Sequence, residues 1–452
     1  MIRIIHFLIL VLIPFSGISP QSDKKIIYLN WENVVDISLK DNLTLKSKIL
    51  DYDAQGLEER KAITSFLPVF SYQGIAIRNL ELPVFVFMGQ QFVVGTNYSI
   101  QHSFDLSLPL FTGGGRWFNL SAQKNLRKSL SEELQGQESF TVLTALQAYY
   151  GIMLADKLTQ AASEAVNVAK ENLDRVELHY KAGTATELDL KRASAQYYST
   201  VPQLEEAASS RLLSYQRLKT ILNIPLNDSL IIGDTLTLKD FLHDFAYYSL
   251  EDLKGLAIDK RNDLRSLSEK LRAADAGEKA VLSQFAPVIS VSANLSYQAQ
   301  MDRAKVSWSD YMRSKSVALS VYWPLFEGGK KIVDYQIAQV RTDQIKLALS
   351  QAKDGASLDV EEKYYSYKNV LKSLKSLQQA MEESKESMRI SALMYGNGMS
   401  TQLDVLNAQL IYTKSKAEYL RGIFNYNISQ LQLLNAAGLM DEVWKSNAGG
   451  RR

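Results

Sequence analysis

The sequence predicts a mixed α/β membrane protein, internally duplicated, in which very long helices carry short strand hairpins. Three observations predict it. Motifs recur in the same order in two halves, two long windows lack proline, and the segments between them alternate with period two.

The repeat comes first. HYKAGTATELDL at 179–190 is matched by MYGNGMSTQLDV at 394–405, and SLPLFTGGG at 107–115 by YWPLFEGGK at 322–330, both at an offset of 215. FLPVF from Phe66 is matched by FAPVI from Phe285. WENVVDISLKDNLTLKS from Trp31 has a weaker echo in LEDLKGLAIDKRNDLRS from Leu250, again at 219. Four pairs in register make the mature chain a tandem duplication.

The helices follow from proline. None falls from 110 to 201 or after 324, and helix interiors tolerate proline badly. Within these windows apolar residues recur at threes and fours. The predicted helices, Arg116 to Tyr180 and Lys330 to Tyr395, would each be about 97 Å long at 1.5 Å per residue, long enough for a coiled coil or helical tube. Gly183 and Gly398 stand where a helix would stop. Thr184 or Thr186, and Ser400 or Thr401, can cap the returning helix, and Glu187 stands three residues after Thr184 at capping-box spacing. The return arms run from about Ala185 to Leu222 and from about Thr401 to Ala437. Pro202 predicts a kink or break in the first.

The strands come next. In VISVSANLSYQ, 288–298, Ile289, Val291, Ala293, Leu295 and Tyr297 alternate with Ser290, Ser292, Asn294, Ser296 and Gln298. From Tyr98 to Leu108 the apolar residues alternate with Ser99, Gln101, Ser103, Asp105 and Ser107. The partners are 317–323 and, less regularly, Val69 to Arg78. Each is long enough to cross a membrane when tilted. If so, Asp105, Gln101, Ser292 and Asn294 line a polar lumen, because a carboxylate facing lipid would be costly. Four strands cannot close a barrel, and an open edge cannot sit in hydrocarbon. Either the hairpins pack on a soluble core, or copies of the chain share a barrel of eight or twelve strands. The strand-to-helix corners are assigned to Pro109, Gly113 and Gly114, and to Pro324, Gly328 and Gly329. Neither glycine cluster completes a phosphate loop. ELPVFVFMGQQFVVG, 81–95, is too apolar for an exposed loop. It could constrict the mouth, meet lipid headgroups or extend the strands.

Composition narrows function. Lys plus Arg number 51 and Asp plus Glu 49, a net charge of +2, which gives no support for nucleic-acid binding. Cysteine is absent and the four histidines are scattered, so disulfides, thiolate metal sites and an acylated cysteine are excluded. With no triad or carboxylate pair, no metal, cofactor or enzymatic activity is expected. MIRIIHFLILVLIPFSG reads as a secretory signal peptide, and no later segment approaches the length of a transmembrane helix.

Taken together, the duplication, the P-L-F-x-G-G corners and the Y-x-x-G-x-x-[ST]-x-x-D tips resemble the outer-membrane efflux and secretion channels of the TolC type. The resemblance covers nearly the whole mature chain. It implies a homotrimer sharing a twelve-stranded β-barrel in the outer membrane of a Gram-negative bacterium, with a long α-helical coiled-coil barrel in the periplasm. It also implies a passive exit duct, served by a periplasmic adaptor and an inner-membrane pump of the RND or ABC type. Gating would lie at the helical tips. Asp404 matches the first aspartate of the family's entrance ring, but the second falls on Asn407. Tyr395 matches the closing tyrosine, while the closing arginine falls on Ser400, leaving Arg389 as a candidate substitute. Gly183, Thr184, Thr186, Gly398 and Thr401 would meet the adaptor.

The organisation read from the sequence is a signal peptide at 1–20 and a first repeat at 21–225, with its strand hairpin at 69–109 and tip near 183. An equatorial linker follows at 226–249. The second repeat spans 250–437, with its hairpin at 288–324 and tip near 398, and a tail covers 438–452. The rival reading is a soluble periplasmic coiled-coil structural or adaptor protein.

Overall fold

A computed structural model describes residues 25–242 and 247–448, with side chains to Lys445. The expected signal peptide lies outside these residues. β1 (Ile26–Leu29) leads into α1 (Trp31–Asp41) and α2 (Leu43–Thr64). Then come β2 (Val69–Arg78), β3 (Val84–Phe87), β4 (Gln90–Val93), β5 (Tyr98–Thr112), α3 (Gly115–Lys181) and α4 (Glu187–Ile221). The remaining elements are β6 (Ser229–Ile232), α5 (Leu250–Lys260), α6 (Asn262–Leu282), β7 (Val288–Met301), β8 (Tyr311–Tyr322), α7 (Lys330–Gly396), α8 (Gln402–Ala436) and α9 (Glu442–Ala448).

The duplication is written into the element lengths. α1 and α5 each have 11 residues, α3 and α7 each have 67, and α4 and α8 each have 35. A 67-residue helix has no tertiary core of its own and must be held along its length by neighbours. α3 packs along α2, α4 and α6, and α7 along α6 and α8. α4 runs through Pro202 as one helix, so the expected break does not occur. Proline removes one helical hydrogen bond there. The carbonyl it leaves without a donor is that of Tyr198, and packing of α4 along α3 holds the helix through the site.

The apolar core lies part-way along the bundle. Tyr149, Leu146 and Ile152 of α3 meet Leu218 of α4, Leu431 and Leu434 of α8, and Val34 and Leu253 from α1 and α5. β1 and β6 form a short parallel pair beside it. The following segment is strapped to α8 by two buried carboxamides. Asn427 Oδ1 accepts from Lys239 N (2.9 Å) and its Nδ2 donates to Thr237 O (2.8 Å). Gln430 does the same for Phe241 N (3.0 Å) and Lys239 O (2.9 Å). An extended segment has no helical partners for these groups, so the side chains of α8 supply them. Tyr149 donates to Asp234 Oδ2 at 2.7 Å. Burial and that carboxylate both push its phenol up from its ordinary value.

The four long strands form one antiparallel sheet in the order β2-β5-β7-β8. Its two edges, β2 and β8, belong to opposite ends of the duplication. β3 and β4 form a separate hairpin through Met88 and Gly89, both at positive φ. Loop 81–95 therefore does not extend the long strands. It folds back on itself with Val84, Phe85, Val86, Phe87 and Met88 exposed.

The candidate conduit wall and its tips

The sheet has two unlike faces, and the register keeps them aligned across all four strands. Phe70 is opposite Leu106, Leu106 opposite Ala293, and Ala293 opposite Val317. One residue along, Ser71, Asp105, Asn294 and Ser316 form the matching row on the other face. Period two carries this through the sheet, so Gln101, Ser292, Asn294 and Asp105 share one polar face. The sequence reading grouped these four, and the structure brings them onto one surface. Asp105 accepts from Asn294 Nδ2 at 2.6 Å and from Ser103 Oγ at 2.8 Å. That pair ties β5 to β7, joining the two halves by a polar contact.

The corners repeat in detail. Gly113 and Gly114 have φ of 63° and 85°, and Gly328 and Gly329 have 61° and 85°. These left-handed angles turn the chain from strand to helix where a β-carbon would be strained. Pro109 is not part of the corner. β5 runs on to Thr112, and Pro109 sits inside it at a register shift between Pro109 and Phe111. A bulge is where a strand can accept a residue without an N–H. The Pro109 carbonyl accepts from Arg116 on the first turn of α3, so it braces the corner from four residues before Gly113. Pro324 follows the end of β8.

The tips also repeat in detail. Gly183 and Gly398 have φ of 76° and 70°. Thr184 N donates to His179 O at 2.9 Å and Met399 N to Met394 O at 2.9 Å, the closing bonds of two Schellman turns. Thr186 and Thr401 are the N-caps, each in a capping box with the aspartate three residues on. The box thus joins Thr186 to Asp189 rather than Thr184 to Glu187. Thr184 is engaged in the turn instead, donating to His179 O at 3.0 Å.

Asp404 therefore has a local task. Its Oδ2 accepts from Thr401 N at 2.9 Å, Thr401 Oγ1 at 2.6 Å and Ser400 Oγ at 3.0 Å. These bonds hold its carboxyl below the ordinary aspartate value, and Oδ1 takes none of them. Asp404 and Asn407 are both exposed on α8, close on one helical face by their spacing. Tyr395 meets the other tip, its ring 5.9 Å from that of His179 in an edge-on contact. Burial and the Asp189 carboxylate raise its phenol, against the opposing pull of Arg175. Arg389 pairs with Glu386 one turn back at 2.6 Å, both side chains being exposed.

Sequence reasoning missed two residues at this end. Gln402 is 1% exposed, and neither its Oε1 nor its Nε2 has a partner among the described residues. Asn172 of α3 is also buried with its Nδ2 unpaired. No spacing in the sequence marks either, because both follow from how the two hairpins meet. Removing the second cap tests the tip. Thr401→Ala is expected to cost about 1 kcal/mol, seen as faster amide exchange confined to the first turn of α8.

Among the described residues no helix is long and apolar enough to cross a membrane, and no group of His, Asp and Glu could hold a metal ion. Two glycine corners, two capped tips and one two-faced sheet built from both halves agree with the comparison to protein families. The model described as "Outer membrane efflux protein" matches residues 93–223 and 253–439. The chain belongs to this family. It is 23% identical over 352 residues to outer membrane protein TolC of Escherichia coli, covering 72% of this chain and 67% of TolC. It is 24% identical over 331 residues to the solvent efflux pump outer membrane protein SrpC of Pseudomonas putida, covering 72% and 68%. Among solved structures, the outer membrane protein VceC of Vibrio cholerae superimposes with a TM-score of 0.78 at 16% identity. That match covers 90% of this chain and 96% of VceC.

The channel is thus an outer-membrane exit conduit of a tripartite efflux or secretion system, reaching into the periplasm. Its general partners are an adaptor and an inner-membrane pump. A conduit of this kind makes and breaks no bond, so it is not an enzyme.

Proposed function

We propose that three copies close one twelve-stranded barrel and one helical tube, that the polar sheet face lines the bore, and that the paired tips form the gate. The observation that carries this reading is the asymmetry between two equivalent corners. A β-carbon on Gly113 would collide with the Ser283 carbonyl oxygen and lie 2.6 Å from Ala286 Cβ. At Gly328, its counterpart, nothing lies within 4 Å. The first corner is covered by the second half of its own chain. By the same offsets, the second would be covered by Thr64 to Leu67 of a neighbouring copy.

The helices make the same case. Leu43, Leu50 and Leu57 of α2 are exposed at spacings of seven, as are Val333, Val340 and Leu347 of α7. Such stripes suit coiled-coil seams. α6, the counterpart of α2, already packs on α3, so α2 of one copy fits α7 of the next. Three copies are favoured over two because eight strands enclose a bore that side chains nearly fill, whereas larger barrels leave a channel. Asp404, Asn407, Tyr395 and Ser400 would then converge near the axis. The tip residues Gly183, Thr184, Thr186, Gly398 and Thr401 would present the surface for the adaptor. The pump would be of the RND or ABC type.

The duplication also supplies a register for the closing seam. Phe104 is opposite Leu295 and Leu106 opposite Ala293. Carried over by the offsets of 215 and 219, Leu319 falls opposite Ala76 of the next copy and Val321 opposite Gly74. The chain has no cysteine, so the double variant Leu319→Cys/Ala76→Cys carries a single introduced pair. Oxidation in detergent is expected to give a covalent ladder ending at three chains. A ladder ending at two would remove the trimer. No cross-link, in a protein that runs as a monomer, would remove closure through β2 and β8.

A further inference from the structure

The apolar face of the sheet has a basic end. Arg313 lies opposite Tyr297 and Lys315 opposite Leu295, in the rows that continue through His102 and Phe104. Both cations are exposed, and no ion pair or hydrogen bond engages either among the described residues. No carboxylate answers them on this face. Asp105 is the one acidic residue in the four long strands, and it belongs to the opposite face. Lys315 borders an apolar trough of ≈ 540 Å³, lined also by Phe70, Phe104, Leu106, Leu295 and Val317. It stands four residues from the start of β8 at Tyr311, about 13 Å along the strand.

We propose that this is a lipid site. The phosphate of an outer-leaflet lipid rests on Arg313 and Lys315, and one of its acyl chains lies in the trough. The inference rests on the reading that the apolar face is turned toward lipid. A lysine on such a face is costly in proportion to its depth. Plain snorkelling to water would relieve that cost for one side chain, but it does not explain why an arginine stands one row beyond the lysine that borders the trough. Arginine binds phosphate oxygens in pairs and lysine adds a point charge. In the closed ring Arg78 of the neighbouring copy would fall opposite Val317. That makes it a diagonal neighbour of Lys315, about 7–8 Å away, and adds a third cation.

The test uses the full chain in detergent and native mass spectrometry. Phosphatidic acid and phosphatidylcholine with the same acyl chains are the probes. The wild type is expected to retain phosphatidic acid about tenfold more tightly, a difference of about 1.4 kcal/mol. Arg313→Gln/Lys315→Gln is expected to lose that preference while its channel conductance is unchanged. Equal retention of the two lipids by the wild type would reduce the pair to snorkelling cations and overturn the site. So would an undiminished preference in the variant. Release of phosphatidic acid by excess inorganic phosphate would show that the acyl trough contributes nothing, and would also overturn it.

A second measurement separates this failure from failure of the underlying reading. In a bilayer, Ser316→Cys is expected to react with a membrane-impermeant maleimide and Val317→Cys to be protected. Labelling of Val317→Cys would remove the lipid-facing orientation itself. Protection without any lipid preference would remove the lipid site alone.

Discussion

Alanine at Gly113 is expected to destabilise the folded chain itself, whereas alanine at Gly328 should leave the chain folded but impair assembly. Both glycines hold the same left-handed backbone, at φ of 63° and 61°. An L-residue there costs about 1–2 kcal/mol. At Gly113 the new methyl also meets atoms that cannot move aside, the carbonyl of Ser283 and the Cβ of Ala286. Overpacking of this kind adds about 1–3 kcal/mol. The sum, about 2–5 kcal/mol, is a large share of a net folding stability of about 5–15 kcal/mol. Gly328→Ala meets only the backbone strain in the single chain. If the corner is covered by a neighbouring copy, the second term appears on assembly. Two measurements separate the cases: thermal unfolding by circular dichroism, and oligomeric state by light scattering in detergent. Gly113→Ala should lower the unfolding temperature most. Gly328→Ala should show nearly native helix content with a weakened oligomer. A fully stable oligomer from Gly328→Ala would mean that nothing packs on that corner, and the closing seam would have to lie elsewhere.

That comparison also shows what the sequence can and cannot say. The corners were readable because glycine pairs stand where a strand pattern ends and a proline-free window begins. The long helices were readable to within a residue or two because Gly183 and Gly398 end them by a conformation few other residues adopt. The strands were readable where alternation was clean, as in 288–298, and less so in β2, where Ile75 and Ile77 fall on the polar face. β1 and β6 gave no usable signal, since four-residue apolar runs look the same in a strand, a helix or a loop. Thr184 and Thr186 could not be ranked as caps, because both stand near the helix start and the Schellman turn decides which is left free. Pro109 was placed at the corner because proline usually marks a strand's end, and a bulge is not visible in one strand's sequence. Gln402 and Asn172 depend on the meeting of two hairpins, and such tertiary burial leaves no local mark.

Channel selectivity is expected to depend on Asp404 through its charge alone, and Asp404→Asn is the substitution that isolates it. Alanine would also break the capping box, because the amide and hydroxyl of Thr401 both donate to Asp404 Oδ2. Asparagine keeps an acceptor there and removes only the charge. In a planar bilayer the wild type should show a small, cation-preferring conductance, and Asp404→Asn should lower that preference severalfold. The pH dependence has a definite sign. The carboxyl is held below its ordinary value by bonds that favour the charged form. The charge, and the capping contribution with it, is therefore complete above the unfolded aspartate value of about 3.9. Both are lost only as pH falls through the lower folded value. Cation preference should accordingly persist through mildly acidic solution. Asn407→Asp provides the opposite arm. A second carboxylate three residues on, on the same exposed face, should raise cation preference above the wild type. It should also push the Asp404 carboxyl back up, since like charges at this spacing repel by about 0.2–0.5 kcal/mol. Selectivity that ignores both substitutions would place the narrow, charged part of the duct away from the second tip, and the sheet face carrying Asp105 would be the next ring to neutralise.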